Sequence, residues 1–121
     1  MATALLAGAA AFAATGRTRT PTHANPGAVG SYVGLAGTMG PAALGRRTAC
    51  GALINSDTEG VAHPTLPCGA QIYLTLGTTT VLAQVIDHGP IPPGRVFDLT
   101  PALAFQLGLE GVRRLHWSYA S

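Results

Sequence analysis

The chain has 121 residues, which allows one domain with a packed core. Apolar residues make up 47%, charged residues 10%, and the net charge is +2, with Arg as the only basic residue besides His. This balance excludes a nucleic-acid surface, which would need a basic stripe with interleaved aromatics. Arg46-Arg47 and Arg113-Arg114 are isolated doublets and read as solvated pairs. Many Gly and Ala with few aromatics favour a turn-rich β fold over a helical bundle.

Residues 4–14 form an uninterrupted apolar run. It is too short to span a bilayer and has the length of a signal-peptide core. A signal peptide is therefore expected over residues 1–24, with small residues at Ala11-Phe12-Ala13 and Thr22-His23-Ala24 for cleavage. Its start, Met1-Ala2-Thr3, lacks the usual cation. A linker follows over 25–34, rich in Pro, Gly and Ala, with Ser31 to Gly34 as a short extended piece at its end. The ordered domain is expected over 35–121, exported, monomeric and without a membrane span.

Glycines and Pro41 cut residues 35–51 into short extended pieces in which no helix fits. Cys50 and Cys68 have no companion Cys or His at zinc-site spacing, so no metal or other cofactor is expected. In an exported chain they read as a disulfide, with buried free thiols as the alternative. His63 precedes Pro64 and should lie on extended backbone at a loop edge, in a site or structural role. Residues 71–76 and 79–86 alternate in polarity around Gly77-Thr78, which predicts a β-hairpin. Thr100-Pro101 opens a short helix that Gly108 stops. Residues 112–119 read as a last strand with Trp117 and Tyr119 on one face, as core or rim packing.

Asp87 and Asp98 each follow a short apolar run, Val85-Ile86 and Val96-Phe97. A loop of Gly and Pro with one His and one Arg separates them. Two carboxylates at one cleft suit cleavage of a glycosidic bond, one as proton donor and one ionised. His63 or His88 would orient or balance one acid, and Arg95 would pair with one of them. The same aspartates also suit turn or helix capping.

Four motifs occur in order: G-R-R-T-A-C-G at 45–51, V-A-H-P-T-L-P-C-G at 61–69, V-I-D-H-G-P at 85–90 and G-R-V-F-D-L-T at 94–100. In this the chain resembles the RlpA-like (rare lipoprotein A) family of bacterial cell-wall proteins over most of residues 35–110. The resemblance implies a six-stranded double-psi β-barrel with one or two short helices. It implies lytic transglycosylation of peptidoglycan glycan strands, with Asp87, Asp98 and His63 as catalytic residues. The candidate substrate-binding residues are His88, Arg95, Thr48 and Tyr73. It also supports the Cys50–Cys68 disulfide.

The chain departs from the family pattern at Thr38-Met39-Gly40-Pro41, where an aromatic pair often precedes the Gly-Pro turn. It departs again at Ala52, where Glu or Gln is frequent, and at His88, where Arg is usual. The alternatives are a non-catalytic, expansin-like glycan-binding module and an inverting glycoside hydrolase.

Overall fold

The computed structural model describes residues 31–120. Six strands carry the fold: β1 (Ser31–Thr38), β2 (Val61–Ala62), β3 (Gln71–Leu76), β4 (Thr79–Asp87), β5 (Phe97–Leu99) and β6 (Arg113–Tyr119). They close into a barrel in the order β1-β5-β2-β4-β3-β6. Closure leaves no free sheet edge. Two pairs are parallel, β1 with β5 and β2 with β4, and the rest are antiparallel. The signal peptide expected over 1–24 lies outside the described residues. Among the described residues no helix is long and apolar enough to cross a membrane.

The hairpin forms where polarity alternates. Gly77 takes φ +61 at the turn, and Leu76 pairs with Thr79. Inward residues of β3 and β4, among them Ile72, Leu74, Ala83 and Val85, enter one apolar core with Phe97, Leu99 and Leu115. Each large side chain buried this way contributes roughly 1.5–3 kcal/mol.

Two boundaries differ from the sequence reading. β1 begins at Ser31, so residues 31–34 are barrel strand and not linker; Tyr32 pairs with Trp117 and Gly34 with Leu115. Adjacent-strand pairing organises this Gly-containing segment, and its local pattern gave no sign of a partner. A single 3₁₀ turn occupies Pro41–Ala43, within the stretch expected to hold no helix, and its Pro suits a first helical turn.

Helix α1 (Pro101–Leu107) buries Leu103, Ala104 and Leu107 in the barrel core, while Phe105 stays 89% exposed. Gly108 ends it in the left-handed conformation at φ +80. The Thr100 hydroxyl accepts from Leu103 N at 3.4 Å and from Gly60 N at 3.1 Å. One fully buried oxygen thus caps the helix and anchors the residue before β2. Thr100→Ala should destabilise by about 1–3 kcal/mol, through the lost cap and an unpartnered Gly60 N–H. Thr100→Ser should recover most of this in urea denaturation.

Candidate functional site

The short strand β2 brings the two acids together. Ala62 is in register with Asp87 on one side and with Asp98 on the other. The acids therefore sit in one row, two strands apart, with Cα atoms about 10 Å from each other at normal strand spacing. A register shift between Val61 and Ala62 creates this row, since Val61 still pairs with Val85. Ala62 belongs to a second apolar cluster, with Met39, Ala43 and Ile54, and Ile91 packs against it. This cluster carries the two loops that cover the acids.

Asp87 is 1% exposed and accepts three hydrogen bonds. Oδ1 takes Ala49 N at 3.0 Å and His88 N at 2.9 Å, and Oδ2 takes Arg46 Nη2 at 2.9 Å. Burial pushes its pKa up, but Ala49 N–H, the Arg46 guanidinium and His88 N–H outweigh this and hold it below the usual carboxylate range. Asp98, 8% exposed, accepts from Arg95 Nη1 at 2.7 Å. That arginine lies against Gly37, the register partner of Asp98, where an added Cβ would collide with its guanidinium. Gly37 thus leaves room for the ion pair.

His63 touches Asp87 through the backbone: its N–H donates to the Asp87 carbonyl at 3.0 Å. Its ring Nδ1 accepts from Thr65 N and Leu66 N, both at 3.1 Å. Nδ1 is therefore unprotonated, and a neutral ring carries its proton on Nε2. Burial, and secondarily the charge of His88, lower the His63 pKa. A disulfide joins Cys50 to Cys68, with Cα atoms 5.6 Å apart. Cys50 follows Ala49, the donor to Asp87, so the bridge ties that donor to the loop carrying Leu66.

A family model described as "Lytic transglycolase" matches residues 38–117, most of the chain. The chain belongs to this family. It is an RlpA-like double-psi β-barrel domain. It is 37% identical over 82 residues to the endolytic peptidoglycan transglycosylase RlpA of Yersinia pestis, covering 66% of this chain and 23% of that protein. It is also 37% identical over 79 residues to a probable endolytic peptidoglycan transglycosylase RlpA of Synechocystis, covering 64% of this chain and 25% of the relative. The chain thus matches about a quarter of the length of these relatives. Among solved structures, Streptomyces papain inhibitor aligns at TM-score 0.58 and 22% identity, covering 75% of this chain and 94% of that one. The computationally designed msDPBB_sym2 protein aligns at TM-score 0.50 and 11% identity, covering 74% and 99%. These two show the shared barrel.

Within this RlpA-like domain, several expected substrate contacts have other partners. The His88 ring does not reach out for a ligand: Nε2 lies 2.9 Å from the Leu66 carbonyl and 3.9 Å from Cys68 Sγ. Cys50, Cys68 and His88 converge, but both sulfurs are bonded to each other and offer no thiolate to a metal. Thr48 is 6% exposed, and its hydroxyl accepts Ala52 N at 3.0 Å to close a tight loop. Tyr73 alternates with the buried Ile72 and Leu74 and pairs with Leu82 and Ser118, which places it on the outer barrel face. Arg95 is engaged by Asp98.

The residue that sequence reasoning missed is Arg46. It stays exposed to solvent as expected, and its guanidinium also forms the ion pair to Asp87, far away in the chain. Its neighbour Arg47 donates to the Gly51 carbonyl. The available signal was its place in the 45–51 motif. Charge counting hides it, because a doublet on a loop looks the same whether or not it folds over a carboxylate.

A carboxylate with a lowered pKa contributes stability at neutral pH. That contribution is lost as pH falls below about 4, through the folded-state pKa. Arg46→Ala should weaken the hold on Asp87, cost about 1–3 kcal/mol, and move acid unfolding to higher pH. Urea midpoints followed between about pH 2 and 7 check this. Reducing Cys50–Cys68 should cost about 3 kcal/mol in the chain-entropy model and lower the melting temperature. Melts with and without reductant measure it.

Proposed function

We propose that the domain is a secreted lytic transglycosylase that cleaves peptidoglycan glycan strands between N-acetylmuramic acid and N-acetylglucosamine, leaving 1,6-anhydro ends. The observation that carries this is the register row Asp87–Ala62–Asp98, in which two buried acids flank one residue of a family-matched barrel. The names of the RlpA relatives support the substrate and the reaction class. The disulfide and an extracytoplasmic target support export.

The unequal surroundings of the acids divide the work. Asp87, held ionised by three donors, is poorly suited to give a proton in the resting state and well suited to face positive charge. Proton delivery falls to Asp98, which has one side-chain donor, Arg95, to release before it can carry a proton. The C1–O bond of the muramyl residue breaks, and the leaving oxygen takes the proton from Asp98. Asp87 stabilises the oxocarbenium ion. The muramyl C6 oxygen then bonds to C1, and its proton passes to Asp87. No water is consumed, and exchange with solvent resets both acids. The neutral His63 offers its Nε2–H to a sugar oxygen while its backbone steadies Asp87.

Peptide-free glycan strands digested with the protein should yield anhydro-sugar products by mass spectrometry. Asp87→Asn and Asp98→Asn should each lower kcat by at least about 100-fold, as expected for loss of an acid–base group. Reducing ends in place of anhydro ends would point to a hydrolase. Wall binding without any product would point to a binding module. Full activity in both variants would overturn the site.

A further inference from the structure

The rings that the Thr38-Met39 segment lacks occur elsewhere on the barrel. Met39 is 7% exposed and packs in the second apolar cluster, so that segment offers no flat surface to a sugar. β1 and β6, however, place three aromatic side chains together. Tyr32 and Trp117 are register partners, and their rings stack with centroids 4.6 Å apart. Tyr119 stands edge-on to both, at 5.9 Å from Tyr32 and 5.3 Å from Trp117.

These rings climb out of the core. Along β6 the exposure of alternate residues rises from 1% at Leu115 to 9% at Trp117 and 55% at Tyr119. Along β1, Ala36 is fully buried and Tyr32 is 45% exposed. The cluster therefore lies on the inward-facing rows of two strands, at the barrel end where they leave the core. The same end carries the site: the His63 ring is 6.3 Å from Trp117 and 5.1 Å from Phe97, and the His63 N–H is bonded to the Asp87 carbonyl.

We propose that Tyr32 and Tyr119, backed by the buried Trp117, form a sugar-stacking platform that holds one pyranose ring of the glycan strand beside His63. The inference rests on the glycan substrate proposed above. A pyranose has an apolar face of C–H groups and a rim of hydroxyls. Exposed Tyr rings supply the matching apolar surface, and their hydroxyls bond to the rim. Nearness to the His63 ring, whose own backbone meets that of Asp87, selects a sugar of the reacting strand as the occupant. The platform takes over the task of the absent aromatic pair.

Trp117 is the only tryptophan in the chain, so its fluorescence reports on this spot alone. Peptide-free glycan strands titrated into the full chain should shift or quench that emission saturably. Tyr119→Ala, at a strand end, and Tyr32→Ala should each weaken binding about tenfold, the usual scale for truncating an aromatic anchor. Pull-down on insoluble wall material gives a readout independent of Trp117. In turnover the loss should appear in KM, with kcat largely kept. Tyr119→Phe should restore most of the affinity, and circular dichroism confirms folding.

Unchanged affinity and KM in both alanine variants would overturn the platform, even in an active enzyme, and leave the rings as packing or as a seat for another part of the chain. Tyr-dependent glycan binding without any cleavage would sustain the platform and overturn the lyase reading. The two proposals therefore fail separately.

Discussion

The buried Asp87 carboxylate is the constraint around which the barrel and its loops are arranged. A carboxylate at 1% exposure is costly unless its oxygens are bonded. Here two donors come from far away in the chain, a guanidinium and a backbone N–H from residues 46–49, and the third is the N–H of the next residue. The loop of residues 39–58 must fold over the end of β4 to supply them. Met39, Ala43 and Ile54 hold it there by packing on Ala62. The disulfide at Cys50 fastens the same loop to the segment after His63. One ion pair, one small apolar cluster and one covalent bridge thus converge on a single side chain.

Asp98 is held by simpler means. Its partner Arg95 is three residues away and reaches it across Gly37 on the neighbouring parallel strand. The two carboxylates are thus held unequally, by three donors at Asp87 and by one at Asp98. Pairing of β2 with β4 on one side (parallel) and with β5 on the other (antiparallel) makes the row possible, because it brings segments far apart in the chain onto adjacent strands. A meander of hairpins would place Asp87 and Asp98 at opposite ends of one loop, with no Ala62 between them.

The aromatic rings show the cost of reading a groove from one motif. At Thr38-Met39 the expected rings are missing, and the chain looks poorly equipped to grip a sugar. Tyr32 and Tyr119 lie 87 positions apart in the sequence and are neighbours only because β1 and β6 pair at the seam where the barrel closes. Tyr73, the aromatic that looked available, is turned outward by strand alternation.

Local chemistry alone was enough for the hairpin at Gly77, the capped helix from Pro101 and the single disulfide-forming pair. Each depends on contacts within a few residues or on the only two cysteines present, so the amino-acid order states them directly. The ordered motifs also marked Asp87, Asp98 and His63. Other features needed the closed barrel: β1 starting at Ser31, the Asp87–Ala62–Asp98 row, Arg46 bonded to Asp87, and His88 and Thr48 engaged by backbone. These are long-range contacts set by strand register and loop packing. A run of residues carries no record of which distant donor will reach a buried oxygen, and that choice holds Asp87 below the usual carboxylate range.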